Sequence, residues 1–120
     1  MGAFSPRCID KPWGYELLLA HTDKYVGKIL FIEKGHRLSK QYHKVKDETL
    51  YILEGVLTLL TNDSEYSETH QPGISIHIPP GTIHRLEAHH GDVRILEVST
   101  PELDDVVRLA DDYKREQKNE

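Results

Sequence analysis

The chain has 120 residues, with 15 Lys and Arg against 20 Asp and Glu and a formal net charge of −5 at pH 7. That balance argues against nucleic acid as the main partner, and no apolar stretch is long enough to span a bilayer. A single cysteine, Cys8, leaves no internal disulfide and fits a reducing, cytoplasmic setting, while the length predicts one domain with a radius of gyration of about 14 Å.

Residues 1–10 lack a charged segment followed by an apolar run, so they do not read as a secretory signal. Residues 1–12 are expected to form an N-terminal arm, 13–100 a β domain, and 101–120 a short helix with its tail. Residues 15–20 and 25–32 read as strands around the polar turn at 21–24. A turn at Lys34-Gly35-His36 leads into strands at 37–43, 48–53 and 56–60, with Gly55 as a bend. Ile74, Ile76 and Ile78 alternate with Ser75 and His77, a period of two. His84, Leu86 and Ala88 share a face of the next strand, and 93–99 closes the sheet. Many short strands with closely spaced turn signals predict an all-β jelly-roll β-barrel. Leu103, Val106, Val107 and Ala110 recur at helical spacing, which predicts a C-terminal helix and a frayed tail from Lys114.

Two spaced patterns carry the chemistry. Gly35 is followed by Gln41-Tyr42-His43, Glu48 and Gly55, and Gly73 by Pro79-Pro80-Gly81 and His84. Alternation puts Gln41 and His43 on one strand face, together with Arg37 and Ser39. A hairpin at 44–47 returns Glu48 to the level of His43, and a folded-over sheet brings in His84. Gln41, His43, Glu48 and His84 together supply two nitrogen and two oxygen ligands for one divalent metal ion. Zinc, manganese, iron, cobalt and nickel all suit that set.

These patterns resemble the two signature motifs of the cupin superfamily. The Gln41-x-His43 form is similar to type II (bifunctional) phosphomannose isomerases. So are Lys11-Pro12-Trp13-Gly14-Tyr15-Glu16, Leu38-Ser39-Lys40-Gln41-Tyr42-His43, Ile78-Pro79-Pro80-Gly81 with His84-Arg85-Leu86, and Asp104-Asp105-Val106-Val107-Arg108. Lys44-Val45-Lys46 stands where that family carries further histidines. The resemblance implies a metal-dependent aldose–ketose isomerase acting on a mannose-6-phosphate-type sugar, and a homodimer paired through edge strands. A phosphorylated sugar needs cations at the cavity mouth, and Lys28, Arg37, Lys40 and Arg85 are the candidates. Trp13 and Tyr51 are candidates for an apolar wall, and Glu87 and His77 for a base, none of them assigned. Two other readings stay open: a non-catalytic ligand-binding or sensor module, and an iron-dependent oxygenase using His43, Glu48 and His84.

Overall fold

The computed structural model describes residues 1–62 and 66–115. Its strands are β1 (Arg7–Lys11), β2 (Gly14–His21), β3 (Val26–Ile32), β4 (Lys40–Tyr42), β5 (Glu48–Glu54), β6 (Leu57–Thr61), β7 (Glu68–His70), β8 (Ser75–Ile78), β9 (His84–Glu87), β10 (Val93–Ser99) and β11 (Val107–Ala110). They build a six-stranded sheet in the order β1-β2-β3-β10-β5-β8 and a five-stranded sheet in the order β11-β4-β9-β6-β7. All pairings are antiparallel. The radius of gyration is 13.7 Å, the size expected for one domain of this length. Among the described residues no helix is long and apolar enough to cross a membrane.

Alternation decides what lies between the sheets. Leu30 and Ile32 of β3, Val93 and Ile95 of β10, and Leu50 and Ile52 of β5 point inward and are buried. They meet Trp13, Leu38, Leu57, Leu59 and Leu86 in one core. Each such side chain contributes about 1.5–3 kcal/mol relative to exposure. At the other end of the same three strands the inward positions are Lys28, Glu97 and Glu48, also buried. The register pairs Lys28 with Glu97 and Glu48 with Ser99. The interior is therefore oily at one end and charged at the other, and the charged end holds the site.

Several expectations are corrected. The jelly-roll topology is present, but the two sheets share no strand pairing, so the barrel is not closed. Pro79 and Pro80 follow β8 directly, and a proline has no N–H to carry the ladder onward. The expected C-terminal helix is replaced by strand β11, which pairs with the free edge of β4. Val107 is buried while Ala110 is exposed, so the helical stripe has no common face. Arg115 is tied to Asp111 by three hydrogen bonds, so the tail is held to at least that residue, and 116–120 lie outside the described residues. The expected strand at 37–43 shortens to β4, with only an isolated bridge at Arg37. Strand alternation from Gln41 therefore does not reach back to Arg37. Strands β1 and β7 were not expected. Gly55 is the bend it was read to be. Its φ is +82°, and a Cβ there would lie 2.1 Å from the Asp92 carbonyl oxygen.

Candidate metal centre

His43 follows β4, and Glu48 opens β5 after a four-residue loop. Asp105 organises that loop. Its carboxylate accepts the backbone N–H of Lys44 (3.0 Å), Val45 (2.7 Å) and Lys46 (2.8 Å). Burial alone would raise the Asp105 carboxyl, but these three donors hold it below the usual range. The Asp105 carbonyl oxygen takes the Nδ1–H of His43. His84 opens β9 after the Pro-Pro-Gly turn, where the Gly81 N–H donates to the His43 carbonyl (2.7 Å). His84 Nδ1–H in turn donates to the Thr82 carbonyl (2.8 Å). Gln41 sits opposite His84 in the β4–β9 ladder, and its Oε1 accepts the Ser39 hydroxyl at 2.8 Å.

With both Nδ1 protons committed to carbonyl oxygens, each imidazole presents a bare Nε2. Those atoms lie 3.5 Å (His43) and 3.4 Å (His84) from Glu48 Oε1. All three side chains are buried, and neither Nε2 has a hydrogen-bond partner among the described residues. Burial alone would raise the Glu48 carboxyl, and the Lys46 ammonium 3.2 Å from its Oε2 favours the charged form. Two nitrogen lone pairs and a carboxylate oxygen thus converge at one buried point. The cluster could bind a metal ion. A separation of about 3.4 Å is what two donors roughly 2.1 Å from a tetrahedral ion would show.

The centre opens onto a cavity of about 370 Å³. Trp13, Leu18, Leu30 and Leu38 form its apolar wall. Its charged wall carries Arg7, Lys11, Lys28, Lys46, Arg108 and Arg115 against Glu16, Glu48, Glu97 and Asp104. Six cations against four acids make this wall positive in a chain that is acidic overall. The inner charges neutralise one another. Lys46 bridges Glu48 (3.2 Å) and Glu97 (3.0 Å), and Lys28 bridges Glu16 (3.3 Å) and Glu97 (3.7 Å). Burial would lower the Lys46 ammonium, but Glu97 and Glu48 raise it. Burial raises the Glu97 carboxyl and the Glu48 charge adds to it, against Lys28 and Lys46.

Of the cations named from the sequence, Lys28 lines this cavity. Arg37, Lys40 and Arg85 line a separate one of about 200 Å³ with Leu60, Thr61, Ile83 and His84. There Asp112 pairs with both Arg37 and Arg85, and Glu87 pairs with Arg37. His77 points away from the interior to Asp47 (2.6 Å), because Ile78 on the same strand is the residue that faces in. Tyr51 is exposed, whereas Trp13 is cavity wall. Sequence reasoning missed Lys46, Glu97, Asp105, Arg108 and Arg115. A signal existed for Glu97 alone, as the one charge among the inward positions of 93–99.

The family model described as mannose-6-phosphate isomerase C-terminal matches residues 5–111. A mannose-1-phosphate guanylyltransferase of Sinorhizobium fredii is 29% identical over 111 residues, 88% of this chain and 21% of that protein. Quercetin 2,3-dioxygenase of Bacillus subtilis is 39% identical over 59 residues, 48% of this chain and 17% of that protein. The chain therefore spans about a fifth of the length of the curated relatives it matches. The structure of the polyketide cyclase RemF from Streptomyces resistomycificus superimposes with a TM-score of 0.76 at 20% identity, covering 91% of this chain and 85% of that one. At that identity the likeness is one of fold.

Proposed function

This chain belongs to the mannose-6-phosphate isomerase C-terminal family, and from that premise we propose that its cavity binds a small phosphorylated sugar and interconverts its aldose and ketose forms. One observation carries the reading: two bare Nε2 atoms and an ionised carboxylate converge at the end of a polar, positively lined cavity. His43, Glu48 and His84 would hold a divalent ion, with the Gln41 amide oxygen as a fourth, neutral ligand. When bound, such an ion polarises a carbonyl and favours loss of the neighbouring proton. The chain's own part is to hold the sugar and to receive that proton. Glu16, Glu97 and Asp104 are the cavity carboxylates besides Glu48, and Lys28 and Lys46 fix the position of Glu97.

Calorimetric titration of metal-loaded protein with mannose 6-phosphate and related phosphosugars should give saturable heat. In deuterium oxide the bound sugar should then gain deuterium at C1 or C2. Binding without exchange would leave a ligand-binding or sensor module. The 39% match to a dioxygenase favours a second reading, oxygen chemistry on the same three residues. It predicts oxygen uptake with a flavonol and no phosphosugar heat. The charged wall fits a polyol better than a flat aromatic.

The same reading extends to pairing of two copies through the outer face of the six-stranded sheet rather than through edge strands. Leu17, Ile29, Leu96 and Tyr51 form one cross-strand row there, and Leu53 and Val98 are exposed beside it. Six strands of four to eight residues, about 4.8 Å apart with a rise of about 3.3 Å per residue, present roughly 600 Å², against the ~800 Å² per partner of a standard interface. Sedimentation equilibrium should show a dimer for the wild type and a folded monomer for Leu96→Asp. A wild-type monomer at every concentration would remove the dimer.

A further inference from the structure

We propose that the outer end of the cavity is an anion-holding subsite built by Lys11, Arg108 and Arg115, which captures the phosphate of the ligand. The phosphosugar part rests on the function proposed above. The subsite itself rests on how charge is distributed along the cavity.

The two inner lysines are spent. Lys28 lies between Glu16 and Glu97, and Lys46 between Glu48 and Glu97. Lys11 differs. It is half-buried, it lines the cavity, and its ammonium makes no hydrogen bond or ion pair among the described residues. Its neighbours add to the positive charge. Burial lowers the Lys11 ammonium, and the charges of Lys28, Arg115 and Arg108 lower it further against Glu16. Burial likewise lowers the Arg108 guanidinium, and Arg115 adds to this. Lys11, Arg108 and Arg115 line the same cavity, and a dianion there would offset their charge.

The arginines are also oriented. Asp111 grips Arg115 through Nε (2.8 Å) and an Nη (3.1 Å), and its carboxyl is held at about 2 by that contact despite burial, which acts upward. One edge of the guanidinium is thereby fixed while the remaining N–H groups can serve a phosphate oxygen. Arg108 is opposite Gln41 in the β11–β4 ladder, and Gln41 is opposite His84 in the next. Arg108 therefore shares a sheet face with the metal centre, two strands or about 10 Å away. A ligand with an anion at one end and its carbonyl at the other spans that interval. A phosphate monoester and a sugar carboxylate share this chemistry, and the fork of a guanidinium favours the phosphate.

The test uses metal-loaded protein: wild type, Lys11→Met and Arg115→Gln, with Lys34→Gln, an exposed position that lines neither cavity, as a control. Each is titrated with mannose 6-phosphate, with mannuronate, with neutral mannose, and with inorganic phosphate followed by phosphorus NMR. Melting curves and metal content verify folding. We expect Lys11→Met and Arg115→Gln each to weaken phosphosugar binding by roughly tenfold and to weaken inorganic phosphate binding. Metal content and neutral-sugar affinity should be unchanged, and Lys34→Gln should match the wild type. Mannuronate binding as tight as the phosphosugar would overturn the assignment to phosphate. Unchanged phosphate and phosphosugar binding in both variants would overturn the subsite and leave the isomerase reading standing. Inorganic phosphate binding that depends on Lys11 and Arg115, with no sugar bound at all, would uphold the subsite and defeat the isomerase reading.

Discussion

Replacing His84 with alanine should cost the protein its metal, with affinity falling by about a hundredfold or more. The reference point is that losing a group that merely orients a ligand costs about 10- to 100-fold, and His84 is placed as a ligand. Its Nδ1 proton is committed to the Thr82 carbonyl and its Nε2 is buried beside Glu48 Oε1 without a hydrogen bond. Alanine removes that lone pair and leaves the carboxylate with one imidazole. Glu48→Gln should weaken metal strongly for a different reason, since it removes the negative charge and leaves Lys46 with Glu97 alone. Gln41→Ala should do least, because a neutral amide oxygen is the weakest donor of the set. Competition with a chromophoric chelator orders the variants. Equal affinity across His84→Ala, Glu48→Gln and wild type would place the metal elsewhere.

Asp105→Asn should destabilise the fold by about 2–4 kcal/mol, because a carboxylate that accepts three backbone amides becomes a group that must offer a donor to them. For a domain of this size that lowers the melting temperature by roughly 10 °C. The site suffers as well, since the 44–46 loop sets the position of both His43 and Glu48. The difference should depend on pH with a definite sign. The Asp105 carboxyl is held below its unfolded value of about 3.9. Its contribution is therefore present above about pH 4 and is lost as pH falls through the lowered folded value. Melting curves of wild type and Asp105→Asn should be well separated at pH 7 and converge in acid. A constant gap across that range would mean the carboxylate charge is not what holds the loop.

The part of the site visible in the sequence is the part with a local signature. Gln41 and His43 share a parity, Glu48 follows one short loop later, and His84 stands after a Pro-Pro-Gly turn, so donors and spacing declare themselves. The cavity around them does not, because its charges meet only when β10 inserts between β3 and β5. Glu97 faces Lys28 through that register, which no local pattern encodes. Asp105 lies within the stretch whose helical spacing misled, and the amides it serves lie about sixty residues away. His77, an unassigned candidate base, points outward because in this sandwich the apolar layer and the cavity share a face, so a residue of parity opposite to Ile78 leaves the interior. Arg37 was aligned with Gln41 by alternation across 37–40, where the chain is not a continuous strand. Helical spacing at 103–110 was outweighed by the open edge of β4, whose unpaired backbone groups β11 satisfies.

The central claim is that His43 and His84 meet Glu48 around one ion through bare Nε2 atoms. X-ray absorption at the metal edge of the loaded wild-type protein tests it most directly. The account predicts two imidazole nitrogens and oxygen donors at about 2.0–2.2 Å with no sulfur. A sulfur shell from Cys8, or the absence of imidazole scattering, would contradict it.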